Sequence, residues 1–179
     1  MANANTQAAS ADTGADQPLL SVRNLSLDFG SPKGRVHALR DVSLEVPKGR
    51  IVGIVGESGC GKSTLASAII RLLAANAEVV GGRMEFEGQD LMALSERRMR
   101  DLRGRRMSMI FQDPMTALNP VRTIEAQMLD IQYRDPVGEP EKRRRAIAML
   151  DTVGIPDPAN RLKAYPHQFS GGMRQRICI

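Results

Sequence analysis

The stretch GESGCGKST, residues 56–64, constrains this chain more than any other part of it. It fits the pattern G-x-x-x-x-G-K-[ST], with Gly56, Gly61, Lys62 and Ser63 at the fixed positions. Glycines let the backbone bend around an anion with no Cβ in the way. The consecutive N–H groups of Glu57, Ser58, Gly59, Cys60 and Gly61 can then point into one nest. A helix beginning near Lys62 adds its N-terminal dipole. Lys62 is placed to bridge the β- and γ-phosphates of a nucleotide, Ser63 to ligate Mg²⁺, and Thr64 to reach the α-phosphate. The flanks agree. IVGIV (51–55) is a short continuous apolar run that reads as a strand buried on both faces. KSTLASAIIRLLAA reads as a helix, with Leu65, Ile69 and Leu72 at helical spacing. A glycine-rich turn that binds nothing would not need a strand before it and a helix after it. Cys60 reads as a small residue at a crowded turn rather than a redox centre.

The remaining segments fall into place around this loop. Leu25, Leu27 and Phe29 alternate within a first strand over 20–29, GSPKG (30–34) turns, and Val42, Leu44 and Val46 alternate in a second. Two half-buried strands in succession predict a small antiparallel sheet. VVGGRMEFEGQDL returns to a hairpin-like segment, and SERRMRDLRG (95–104) predicts a short basic helix ending at glycine. MSMIF (107–111) reads as a second apolar strand. From Gln112 the class changes. A proline-punctuated loop leads to helices over 123–134 and 140–154, the second with proline near its start and glycine at its end. Residues 113–168 thus read as a helical insertion.

At 179 residues the chain suits one domain with a subdomain, and a 42% hydrophobic fraction is enough to bury a core. The net charge of +5 is compatible with an anionic partner and does not prove one. The basic run at 97–106 reads as a solvated face, and no nucleic-acid partner is expected. Cys60 and Cys178 lie far apart, with neither a disulfide framework nor zinc spacing, which fits a reducing compartment. Residues 1–18 lack the basic and apolar regions of a secretory signal and read as a disordered tail. No apolar run reaches the length of a membrane span.

FSGGM (169–173) supplies a second helix start: Ser170 can cap it, and Gly171 and Gly172 bare its first N–H groups. On its own this is a capped helix after a loop. The order of parts is more specific: a phosphate loop, a strand ending in Gln112, a helical insertion, then Ser-Gly-Gly-x-x-x-Gln. From residue 19 to 179 the chain resembles the nucleotide-binding subunit of an ATP-binding-cassette (ABC) transporter. FSGGM is similar to that family's Leu-Ser-Gly-Gly-Gln signature and departs from it at Phe169 and Met173. The resemblance implies an α/β P-loop NTPase fold with an N-terminal antiparallel β-subdomain and a helical insertion. Its divisions would be 19–112 for the β-subdomain and phosphate-loop core, 113–168 for the helical subdomain and 169–179 for the signature.

The resemblance also implies roles. Residues 56–64 would hold ATP and Mg²⁺, with Lys62 catalytic. Gln112 would be the glutamine that reaches the metal and the attacking water and senses membrane subunits. Ser170, Gly171 and Gly172 would cover the γ-phosphate held by a second nucleotide-binding subunit, and Phe29 would be the aromatic that stacks on adenine. IFQDPMTALNPV and YPHQFSGGMRQR are similar to the branch that imports dipeptides, oligopeptides and nickel. Its partners would be permease subunits and, indirectly, a solute-binding protein, with the subunit peripheral on the cytoplasmic face of the inner membrane. The family has further parts after the signature helix: a strand ending in Asp-Glu, the D-loop, a switch histidine and the last core strands. His37 and His167 precede the signature and match none of these. The chain therefore reads as the N-terminal part of a longer protein. Two other readings stay open: a soluble ABC-type ATPase, and a nucleotide-binding fragment without turnover.

Overall fold

The computed structural model describes residues 17–111 and 114–179. The expected tail lies outside these residues except for its last two, and Gln112 lies outside them too. The chain divides into two compact units, Met1–Met109 and Ile110–Ile179.

The first unit is built on a four-stranded antiparallel sheet in the order β2-β1-β3-β4, comprising β1 (Leu20–Ser31), β2 (Gly34–Val46), β3 (Ala77–Phe86) and β4 (Gln89–Asp90). This is the antiparallel sheet the alternation predicts, with longer strands. The alternation is interrupted within β1, where the register against β2 shifts at three places between Val22 and Asp28. Val22 and Leu25 are both fully buried although three residues apart. Asn24 between them has φ 50°, a bulge conformation that shifts the register. Gly82 sits opposite with φ 92°, and a Cβ there would lie 2.5 Å from the Asn24 carbonyl oxygen. Only glycine lets the two backbones approach so closely. Glu87 and Gly88, with φ 50° and 74°, form the two-residue turn between β3 and β4, where a tight hairpin demands left-handed residues.

Helix α1 (Lys62–Ile69) lays Leu65 and Ala68 into a core with Val22, Leu25, Leu27, Leu39 and Met84. Apart from Ala68, each of these buried side chains contributes about 1.5–3 kcal/mol. The helix is shorter than the periodicity predicts. Arg71 takes φ 52°, its N–H donates to Ala68 O, and Leu72 N–H donates to Ser67 O, which closes the C-terminus as a Schellman turn. Leu72 is consequently outside the helix and half exposed. Helix α2 (Glu96–Leu102) is capped by the Ser95 hydroxyl, which accepts from Arg98 N–H, and buries Met99.

Two expectations fail here. Residues 51–55 form no strand, and Ile51 and Val55 are essentially fully exposed. Residues 108–111 form none either; Met107 makes only an isolated bridge with Arg103, and Ile110 and Phe111 are exposed. A strand exists only through a neighbour that takes its N–H and C=O groups. Among the described residues neither segment has one.

The second unit is helical: α3 (Ile124–Asp130), α4 (Glu139–Thr152), α5 (Pro158–Arg161) and α6 (Gly171–Cys178), with 3₁₀ turns at Pro114–Ala117 and Pro166–Gln168. Ile124, Ala146, Leu150, Ile155, Leu162 and Phe169 form its core. Thr123 caps α3, Pro140 enters the first turn of α4, and Gly154 (φ 68°) ends it. No described helix is long and apolar enough to cross a membrane.

Candidate functional site

The phosphate loop leaves residue 55 and closes on the start of α1. Gly59 and Gly61 have φ 81° and 96°, so both positions need the left-handed region. Gly61 is also sterically fixed: a Cβ there would lie 2.8 Å from Leu39 Cδ2 and 3.0 Å from Ala38 O. A Cβ on Gly56 would meet Cys60 Sγ at 2.8 Å. Cys60 N–H donates to Glu57 O, and Leu65 N–H donates to Gly61 O to begin the helix. The Lys62 ammonium folds back over the loop, donating to Gly56 O at 2.8 Å and Glu57 O at 2.7 Å, with Cys60 Sγ at 3.5 Å. A fixed cation thus stands at the mouth of a concave backbone, where an oxyanion is favoured.

Ser63 and Thr64, in the first turn of α1, share a hollow of about 180 Å³ with Phe29, Ser67, Leu72, Leu73 and Ala74. Phe29, at the far end of β1, pairs with Val36 on one side and Ala77 on the other. Its neighbour Gly30 is tied to the segment after α1: its N–H donates to Asn76 O, and Asn76 Nδ2 donates to its carbonyl. The sheet therefore sets Phe29 beside the helix that carries Ser63 and Thr64. The sequence pattern places Leu72 on the helix core face and does not single out Ser67, Leu73 or Ala74. Ser67, four residues after Ser63, falls on the same helix face, a signal that was available.

In the second unit Ser170 Oγ accepts from Met173 N–H at 3.3 Å and caps α6, as expected. Ser170, Gly171 and Gly172 are exposed, and a Cβ on Gly172 would meet nothing within 4 Å. Phe169 explains its departure from leucine by position: it is buried in the helical core with the Arg161 guanidinium over its ring. Arg176, two turns into α6, donates to Val153 O and Gly154 O and so satisfies the C-terminal carbonyls of α4. Among the described residues no cluster of three or more His, Cys, Asp or Glu could hold a metal. Mg²⁺ in phosphate sites uses few protein ligands and keeps nucleotide oxygens and waters, so the exposed Ser63 hydroxyl suits it.

The family model described as ABC transporter matches residues 39–179. The chain belongs to the ABC transporter family. Among curated ABC relatives it is 50% identical over 165 residues to the dipeptide transport ATP-binding protein DppD of Bacillus subtilis, covering 91% of this chain and 49% of that protein. It is 46% identical over 165 residues to the probable D,D-dipeptide transport ATP-binding protein DdpD of Escherichia coli, covering 91% and 50%. The oligopeptide transport ATP-binding protein OppD of Bacillus subtilis is 42% identical over 163 residues, covering 90% and 46%. The chain thus spans about half the length of these relatives. Among solved structures, the ATP-binding cassette MJ0796, dimeric in a post-hydrolysis state with ADP and Pi, superposes with a TM-score of 0.72 at 24% identity over 89% of this chain and 66% of that one. That likeness shows the ABC cassette fold, as the order of motifs implies.

Proposed function

We propose that this chain is the phosphate-loop and signature portion of an ATP-binding, ATP-hydrolysing subunit that energises an importer of di- or oligopeptides, or of nickel. The observation that carries the ATP reading is the Lys62 ammonium held over the loop by Gly56 O and Glu57 O, beside the Ser63 and Thr64 hydroxyls and Phe29. The names of the dipeptide and oligopeptide relatives support the substrate class.

In this reading the loop N–H groups and Lys62 bind the β- and γ-phosphates, Thr64 reaches the α-phosphate, and Phe29 stacks on adenine. Ser63 and Gln112 would hold Mg²⁺, which would supply charge neutralisation for the transferred phosphoryl group. Gln112 also orients the attacking water. Ser170, Gly171 and Gly172 close over the γ-phosphate bound to a second nucleotide-binding subunit, the same or a different chain. Closure works permease subunits supplied by a solute-binding protein, with this subunit peripheral on the cytoplasmic face of the inner membrane.

Residues 1–179 alone bind nucleotide without turnover. The exposed, unpaired 51–55 segment supports weak binding by residues 1–179, because the phosphate loop hangs from it. The test is phosphate release and ATP affinity for three proteins: the full-length subunit, its Lys62→Ala variant and residues 1–179. Turnover is expected only in the first. Removing the charge partner should weaken ATP binding by about 2–5 kcal/mol. Unchanged affinity and turnover in Lys62→Ala would overturn the assignment.

A further inference from the structure

Helix α2 and the turn after it carry a charge that the nucleotide chemistry does not use. Residues 92–106 hold six arginines against Glu96 and Asp101, in a chain whose whole net charge is +5. Two of the six are structural. Arg103 donates to Ile70 O, Arg71 O and Glu96, closing the end of α1 onto α2. Arg106 pairs with Glu87 at the β3–β4 turn. The other four, Arg97, Arg98, Arg100 and Arg105, are exposed. Met99 is fully buried and fixes the orientation of the helix. At 100° per residue Arg97 then lies nearly opposite the core, with Arg98 and Arg100 to either side. Met92, three residues before the Ser95 cap, is also exposed.

We propose that this face of α2 is a contact for an anionic lipid bilayer. Guanidinium groups bind phosphate in a bidentate geometry, and a rigid helix presents several at once. Single-stranded nucleic acid is the less suitable occupant. It needs aromatic side chains for base stacking, whereas residues 92–106 contain none. The inference rests on the proposed transporter role only for the presence of a membrane.

The experiment is flotation of the full-length subunit with vesicles of phosphatidylcholine alone, and of phosphatidylcholine mixed with phosphatidylglycerol. Binding is expected to the anionic vesicles only, and to weaken with salt. Replacing Arg97, Arg98, Arg100 and Arg105 by Gln together should lower that binding roughly 10²–10³-fold, at about one factor of five per arginine. A control with Lys33, Lys48, Arg50 and Lys163 replaced by Gln removes the same charge elsewhere and should bind as the parent does. Equal binding to both vesicle types, an equal loss in the control, or preference for a DNA oligonucleotide over vesicles overturns the inference. ATP affinity is measured alongside. Its absence in the parent refutes the proposed function, while the vesicle data still decide the lipid contact.

Discussion

Gly61 and Gly59 offer a matched comparison, since both have positive φ and differ in what surrounds them. Gly61→Ala places a methyl at φ 96°, 2.8 Å from Leu39 Cδ2 and 3.0 Å from the Ala38 carbonyl oxygen. Left-handed backbone costs an L-residue about 1–2 kcal/mol. Leu39 is buried in the core and Ala38 O is backbone, so neither yields freely; such overpacking adds about 1–3 kcal/mol. The total is about 2–5 kcal/mol. Gly59→Ala at φ 81° meets nothing within 4 Å, so only the backbone contribution of about 1–2 kcal/mol remains. Urea unfolding of the two full-length variants should place the midpoint of Gly61→Ala below that of Gly59→Ala by on the order of 1 M. If Gly59→Ala were as destabilising as Gly61→Ala, the steric account of the loop would be wrong.

Ser170→Ala removes the α6 cap and should cost about 1 kcal/mol in thermal unfolding, whereas Ser170→Arg should spare ATP binding in the full-length subunit and stop hydrolysis; loss of ATP binding by the lone monomer would rule out action across a dimer. On α4, hydrogen bonds from Arg144 and then Arg145 hold the Glu141 carboxyl down at about 2 instead of 4.5. The native carboxyl is the depressed one, so its contribution is complete above about pH 4.5 and is lost as pH falls through about 2. An NMR titration of Glu141 with a midpoint near 4.5 would show that the arginine clasp does not persist in solution.

The parts legible in the sequence were those governed by neighbours along the chain. The Ser170 cap, Gly154 at the end of α4 and the β1–β2 alternation all depend on residues a few positions apart, and they formed as expected. The glycine turn leading into α1 was legible for the same reason. Residues 51–55 and 107–111 were read as strands from their apolar runs, yet pairing is a property of two segments, and a run cannot state its partner. The early end of α1 escaped because Arg71 adopts φ 52° where glycine is the usual signal. The hollow beside Phe29 escaped too. It joins the end of β1 to a helix more than thirty residues later, through Gly30 and Asn76.

The Lys62 ammonium also sets what an incoming anion has to displace. It has three protons. Two are given to the carbonyls of Gly56 and Glu57 at 2.8 and 2.7 Å, and the third is left to Cys60 Sγ at 3.5 Å. Sulfur is a weak acceptor. In the proposed role, a phosphate oxygen arriving at the loop takes the third proton first, from the poorest of its three holders. A hydroxyl at that position would compete harder for the same proton. Within a motif whose middle letters are free to vary, the choice of a thiol makes residue 60 a latch that gives way readily.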